Sequence, residues 1–232
     1  MQNYEVEVKS LLGSPERAAE VIEAIRKIDP SCKMTSKSKQ LNHYFEGGNL
    51  TQLAEAAKSI LSAEGNAKMQ DLVARANTFS IRTRETHKDL PAQAGGAVIL
   101  VVKASVGADT SANGVSRLEF EETVPLILQQ LDEVLLAAGF TYQAKWSRER
   151  EEYLASGITV CIDKNAGYGY LAEFEKVVDS QDKANEAREE IDAFMATVGA
   201  LELPQDRLER MFAYYNTHWP EYYGTEKIFD IQ

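Results

Sequence analysis

The feature that most constrains the fold of this 232-residue chain is a one-by-one alternation of charged and apolar residues in its extended segments. Near the N-terminus, Glu5, Glu7 and Lys9 are separated by Val6 and Val8. Because successive side chains of a strand point to opposite faces, the three charges share one face and the valines the other. An antiparallel sheet with one solvated face gives the same pattern, so a single such strand says little about chemistry.

The same period of two recurs along the chain, and most of the charges are pairs of Arg or pairs of Glu. Their alternating neighbours are mainly Val, Ile, Leu and Phe, whereas solvated strands usually mix several polar types. We therefore expect helices to cover the apolar faces and the charged faces to turn inward around a wet tunnel. The charged positions are Glu5, Glu7, Lys9, Arg82, Arg84, Lys103, Arg117, Glu119, Glu121, Arg148, Arg150, Asp163, Glu173 and Glu175.

Turn-forming residues separate about eight strand-like segments from amphipathic helices, which predicts the α+β class. Ser14 and Pro15 predict the N-cap and first position of the first helix. The segment from Thr51 to Gly65 is predicted to be one helix, capped by Thr51 and ended by Gly65. We expect a single domain over residues 1–232, with a helical insert at about 49–76 and a helical C-terminal extension at about 180–232.

Composition excludes several classes of partner. A net charge of −11 argues against non-specific binding to nucleic acid or to anionic membranes. The two cysteines, Cys32 and Cys161, have no metal-binding spacing and fit a reducing compartment. No apolar run of membrane-spanning length and no signal pattern occur, so we expect a cytoplasmic protein.

Seven acidic and seven basic side chains converging on one tunnel must be hydrated, paired or filled by a ligand, because an unpaired buried ion is costly. Guanidinium and ammonium groups bind polyanions, and Arg contacts phosphate oxygens with two donors. Clustered carboxylates bind Mg²⁺ or Mn²⁺. A site with both kinds of group suits a small-molecule triphosphate carried with a metal ion.

The motif EVEVK resembles the ExExK signature of the CYTH superfamily, also called triphosphate tunnel metalloenzymes. The resemblance continues in order through NHYFE, IRTR, LVVKAS, RLEFEE, REREEY and ITVCID…GYGYLAEFE, and it spans roughly residues 4–178. It implies an eight-stranded antiparallel β-barrel, open at both ends, with helices packed outside. Members include thiamine and inorganic triphosphatases, messenger-RNA capping triphosphatases and class IV adenylyl cyclases.

The resemblance also implies a role for each charged position. Metal ligands would be Glu5, Glu7, Glu173 and Glu175, assisted by Asp163. Phosphates would be bound by Lys9, Arg82, Arg84, Lys103 and Arg150, with Arg148 and Arg117 as further candidates. The catalytic candidates are Lys9, Glu119 and Glu121, of which the two glutamates would bind a second metal or orient water and basic side chains. The cofactor would be Mg²⁺ or Mn²⁺. The superfamily allows homodimers, and the sequence does not fix the oligomeric state.

Three functions follow from this interpretation. The leading one is metal-dependent hydrolysis of an inorganic, thiamine or nucleoside triphosphate. The alternative is a class IV adenylyl cyclase, although the His-Phe pair that precedes ExExK in those enzymes has no counterpart in the residues MQNY. The third is a non-catalytic module that binds polyphosphate or a nucleotide, which the presence of all the metal-type carboxylates disfavours.

Several other residues are better explained by structure than by chemistry. We expect His43 to be structural, and Trp146 and Tyr153 to pack outside the barrel. The aromatic segment AYYNTHWPEYYG could stack a base, but a helix anchor or dimer contact is the favoured interpretation. The insert at 49–76 is interpreted as a structural or oligomeric elaboration rather than as a wall of the substrate site.

Overall fold

The computed structural model describes residues 4–91, 95–105 and 118–230, which form eight strands and six α-helices. A short 3₁₀ turn at Gln181–Lys183 precedes the fifth helix. The predicted α+β class is confirmed. In chain order the elements are β1 (Tyr4–Gly13), α1 (Pro15–Ile28), β2 (Lys33–Gly47), α2 (Leu50–Ala57), α3 (Ala63–Arg75), β3 (Thr78–Leu90), β4 (Ala97–Ser105), β5 (Leu118–Val124), α4 (Leu128–Ala137), β6 (Phe140–Ala155), β7 (Ile158–Asn165), β8 (Gly169–Val178), α5 (Ala184–Thr197) and α6 (Gln205–Tyr222).

The eight strands form one antiparallel sheet in the order β1-β8-β7-β6-β2-β3-β4-β5, and the sheet curls into a barrel. Within the described residues no backbone ladder joins the outermost strands β1 and β5. Side chains bring them together instead, because Lys103 of β4 lies 2.8 Å from Glu5 of β1 and 3.4 Å from Glu119 of β5. The predicted tunnel barrel is thus confirmed. Its outermost strands, β1 and β5, meet at a seam where ion pairs rather than a backbone ladder connect them.

The helices cover the outside of the sheet, as the alternation predicts. Val6 and Val8 of β1 are fully buried in a core that includes side chains of α1 and α5. On the opposite wall, Leu100, Val102 and Phe120 are buried in a second core that includes α2, α3 and α4. Since these residues alternate with the charged ones, the charged side chains face the interior of the barrel.

The start of α1 agrees with the prediction, since the Ser14 side chain accepts a hydrogen bond from the amide of Arg17 and Pro15 occupies the first turn. Strand β2 is longer than predicted. The sequence segment QLNHYFEG predicts a strand that starts at Gln40, but β2 begins at Lys33, because its polar N-terminal half pairs with β6.

The prediction of one helix between Thr51 and Gly65 is wrong, because two separately capped helices occupy this region. Asn49 caps α2, and Ser62 caps α3 by accepting a hydrogen bond from the amide of Gly65. Gly65 therefore lies in the first turn of α3 and does not end a helix. A Cβ there would come within 2.7 Å of the Glu122 carboxylate carbon, so a side chain at this position would require Glu122 to shift.

Helix α6 packs against β6, and its Phe212 and Asn216 side chains line the interior cavity of the barrel. The ring of Tyr215 stacks on Trp146 with centroids 3.5 Å apart, and its hydroxyl donates to the carbonyl of Lys145 at 2.9 Å. The segment after α6 is fixed as well, since Gly167 exchanges backbone hydrogen bonds with Lys227 and Phe229. In the described part of the chain, no helix combines the length and hydropathy required to span a membrane.

The outer cores should account for much of the stability. Leu131 of α4 is completely buried, whereas Leu201 before α6 is 81% exposed. We expect Leu131→Ala to lower the free energy of unfolding by about 2–5 kcal/mol, because it leaves a cavity. Leu201→Ala is the matched control and should change it by less than about 0.5 kcal/mol. Urea unfolding followed by circular dichroism measures both, and equal effects would contradict the assignment of this core.

Candidate active site

A cavity of about 450 Å³ lies inside the barrel and is lined by side chains from all eight strands and from α6. Twelve of the fourteen charged positions singled out from the sequence line it. Of the other two, Arg117 lies outside the described residues, and Asp163 faces the barrel interior but is covered by Arg148 and Arg150. The described lining includes six cations, Lys9, Arg82, Arg84, Lys103, Arg148 and Arg150, and seven carboxylates, Glu5, Glu7, Glu119, Glu121, Glu152, Glu173 and Glu175.

Three carboxylates meet at the seam of the barrel. Glu7 and Glu175 are directly opposite in the β1–β8 ladder, and oxygens of Glu5, Glu7 and Glu175 all lie within 4.8 Å of one another. The Lys103 ammonium offsets their repulsion from 2.8 Å (Glu5) and 3.7 Å (Glu7). Oxygen donors in this arrangement fit Mg²⁺ or Mn²⁺, which prefer carboxylates.

Two carboxyl groups at this seam hold their protons unusually tightly. Burial, reinforced by the negative charges of Glu173 and Glu5, raises the pKa of Glu175 to about 8. Burial, with the charges of Glu5 and Glu121, likewise raises the pKa of Glu119 to about 7. Without a bound cation, the seam therefore carries less negative charge at neutral pH than its carboxyl groups suggest.

Glu173 and Asp163 contact arginines, and Glu173 also has an oxygen within 4.8 Å of ligand atoms of Glu175 and Cys161. Asp163 is fully buried and accepts two hydrogen bonds of 2.7 Å from Arg150 and one of 2.8 Å from Arg148. Arg150 also contacts Glu173. Although burial opposes ionisation, Arg150 and Lys9 keep the pKa of Glu173 well below its usual range. This network fixes both guanidinium groups at the cavity wall.

The two arginines of β3 have different environments. Arg84 donates from Nε to Asn42 at 3.0 Å and from Nη1 to Glu121 at 3.0 Å. Arg82 donates to the Tyr44 hydroxyl at 2.5 Å, and among the described residues it has no ion-pair partner. Its buried Nε also has no hydrogen-bond partner there. Arg82 is therefore a cation with donor capacity left for an anionic ligand.

Lys9 lies between the carboxylate cluster and the arginine network. Its ammonium contacts Glu7 and lies 3.8 Å from Glu173. Burial, together with the positive charge of Lys103, lowers the pKa of Lys9. Lys9 thus lies between the carboxylates that could bind metal and the cations that could bind phosphate.

The prediction that Trp146 packs outside the barrel is wrong, because Trp146 lines the cavity. It has the same strand parity as Arg148 and Arg150, a signal that was present in the sequence. Tyr153 has the opposite parity and is buried in the outer core, as predicted. Sequence reasoning also missed neutral lining residues, which carry no charge to mark them: Asn42, Tyr44, Ser80, Gln143, Asn165, Tyr168, Leu171, Phe212 and Asn216.

His43 has the structural role expected of it. The side chain is buried, with Nδ1 2.7 Å from Asp132 and Nε2 2.8 Å from the Tyr223 hydroxyl. Asp132 also accepts hydrogen bonds from Thr83 at 2.6 Å and from Tyr142 at 2.7 Å. This cluster joins α4, three strands and the end of α6 on the outer side of the wall.

The raised pKa values predict how stability depends on pH. Glu119 and Glu175 hold protons in the folded state that they lose near pH 4.5 when unfolded, so the folded state binds more protons between about pH 5 and pH 8. The free energy of unfolding in EDTA should therefore fall as pH rises through this window. Glu119→Gln with Glu175→Gln should flatten the profile, whereas the exposed control Glu189→Gln should not. Chemical denaturation at several pH values measures this, and an equally steep profile in the double variant would contradict the assignment.

The fold agrees with known structures. The PH1819 protein from Pyrococcus horikoshii OT3 superimposes with a TM-score of 0.62 at 20% identity, covering 89% of this chain and 99% of that one. A protein from Vibrio parahaemolyticus, provisionally named an adenylate cyclase, superimposes with a TM-score of 0.56 at 14% identity, covering 86% and 91%. At these identities the likeness shows the fold alone. No curated protein matches the sequence.

The sequence itself carries the family assignment. The model of the CYTH domain matches residues 3–206, a span that includes every strand of the barrel and each charged position discussed above. The chain therefore belongs to the CYTH family.

Proposed function

We propose that the protein hydrolyses a small-molecule triphosphate with the aid of a divalent metal ion. The observation that carries the proposal is the division of the cavity into a cluster of three carboxylates at the seam and a set of cations around it. CYTH members act on triphosphates, and the fold shared with a protein named an adenylate cyclase is compatible with such a substrate.

The metal would be Mg²⁺ or Mn²⁺ on Glu5, Glu7 and Glu175, and when bound it would neutralise charge on the phosphate oxygens. The cations of this chain would hold the rest of the phosphate chain. Arg82 has donor capacity left, and Arg148 and Arg150 are already fixed in position by Asp163. We therefore assign Asp163 to positioning these arginines rather than to binding metal. Positioning and charge neutralisation are the main requirements of phosphoryl transfer.

Glu119 is the best candidate to orient and deprotonate the attacking water. Its pKa of about 7 lies near neutral pH, where a general base is most effective. It faces the cavity beside Lys103, close to the metal-type carboxylates. Water would attack the terminal phosphorus, and the bond to the bridging oxygen would break, releasing phosphate from the remaining diphosphate.

Removal of one carboxylate at the seam tests the metal assignment. Glu7→Gln should reduce Mg²⁺- or Mn²⁺-dependent phosphate release from triphosphates by about 100-fold or more, because charge stabilisation in the site is lost. Glu149→Gln is the matched control, since it removes the same charge from the outer face of β6, where the side chain is 46% exposed. Undiminished release by Glu7→Gln would refute the proposal.

The products formed from ATP separate hydrolysis from cyclisation. Incubation with ATP and Mn²⁺ should yield ADP and phosphate, because a water molecule rather than the substrate's own 3′-hydroxyl is the nucleophile. Chromatography of the nucleotides measures this directly. Cyclic AMP with pyrophosphate would identify a cyclase, and tight binding of triphosphates without turnover under either metal would identify a binding module.

A further inference from the structure

The interior of the barrel changes from charged to aromatic along its length. On β8 the inward residues run from Glu175 through Glu173 to Leu171. On β6 they run from Arg150 through Arg148 to Trp146. In both strands the apolar residue is the one nearer to α6.

This aromatic end, defined by Trp146, Tyr168, Leu171 and Phe212, has an apolar wall in which the rings of Tyr168 and Phe212 stand edge-to-face with Trp146, at interplanar angles of 65° and 84°. The ring of Trp146 lies 4.8 Å from Tyr168 and 6.0 Å from Phe212, between centroids, and all of these residues line the cavity. The back face of Trp146 is supported by the stacked ring of Tyr215. A rigid wall of this kind favours a planar ring over a phosphate group.

Two polar atoms at this end have no partner. Within the described residues, the Asn165 side-chain amide nitrogen and the Tyr168 hydroxyl are buried and make no hydrogen bond. Asn165 and Tyr168 are only 8% and 5% exposed, and both line the cavity. Since leaving such groups unpaired costs free energy, they indicate a ligand that presents hydrogen-bond acceptors.

From these observations we infer that the aromatic end binds the heteroaromatic ring of an organic triphosphate. The inference rests on the proposed function and narrows its substrate class: an organic rather than an inorganic triphosphate, with the distal phosphate at Glu5, Glu7 and Glu175. The distance is suitable, because Glu175 and Leu171 are four residues apart on one strand, or about 13 Å. A nucleobase and the pyrimidine of thiamine share this chemistry, and the test below separates them.

The experiment compares kcat/KM for ATP, thiamine triphosphate and inorganic triphosphate in the same preparations. For at least one organic substrate, wild-type kcat/KM should exceed that for inorganic triphosphate by about tenfold. Phe212→Ala should lower the organic value by about tenfold and the inorganic value by less than about threefold. Tyr168→Phe, which deletes only the unpaired hydroxyl, should lower the organic value by about threefold or more.

Met211→Ala is the matched control on α6. Met211 precedes Phe212 and is buried in the same core, but it does not line the cavity. It should lower stability and leave the ratio of organic to inorganic kcat/KM unchanged. The ratio is independent of the folded fraction, so a partly unfolded variant remains informative. Inorganic triphosphate as the best substrate, with all substrates changing alike in Phe212→Ala and Tyr168→Phe, would overturn the inference.

A binding measurement tests whether the aromatic end binds a ring even if the proposed hydrolysis is not observed. If no triphosphate is turned over, the affinities of three non-hydrolysable analogues, measured by calorimetry, replace the ratio of kcat/KM values. The analogues are β,γ-methylene ATP, the methylene analogue of thiamine triphosphate, and imidotriphosphate as the inorganic ligand. Tighter binding of either organic analogue, lost in Phe212→Ala, would support the aromatic end while hydrolysis is refuted. Equal binding of the organic and inorganic analogues would overturn the aromatic end.

Discussion

The pairing of opposite charges inside the barrel is the interaction on which the rest of the structure depends. Removing an ion from water costs several kcal/mol unless a partner compensates it. Here Lys103 bridges Glu5 and Glu119 across the seam, and Asp163 holds Arg148 and Arg150 together. The barrel keeps its polar interior because these pairs substitute for the solvent, and a metal–triphosphate complex could exchange places with some of them.

The antiparallel ladder determines which charges meet. Glu7 of the first strand is paired directly with Glu175 of the last, which brings two candidate metal ligands together. Arg150 is paired directly with Asp163 in the β6–β7 ladder, and this pair forms part of the cationic wall. Raised pKa values at Glu119 and Glu175 reduce the repulsion while no cation is bound. The result is a cavity with a carboxylate seam, a cationic middle and an aromatic end.

Local periodicity was sufficient to predict the eight strands, the outer helices and the inward direction of the charges. It fails where partners come from distant parts of the chain. Asp163 has the inward parity of the other acidic residues, but its contacts with Arg148 and Arg150 depend on the ladder with β6 and could not be read from the sequence. The prediction also fails at Gly65, which looks like a helix stop but lies in the first turn of α3, because Ser62 caps a second helix there. The position of Trp146 in β6 predicts that its side chain faces the barrel interior, as observed. The packing of α6 on Trp146 depends on tertiary contacts and could not be predicted from the sequence.

The central claim is that this interior binds a metal ion and a triphosphate together, and a crystal structure with Mn²⁺ and a non-hydrolysable triphosphate tests it most directly. We predict anomalous density for Mn²⁺ among Glu5, Glu7 and Glu175, with phosphate oxygens in contact with Arg82. Phosphates bound outside the barrel, or Mn²⁺ absent from these three carboxylates at saturating concentration, would contradict the account.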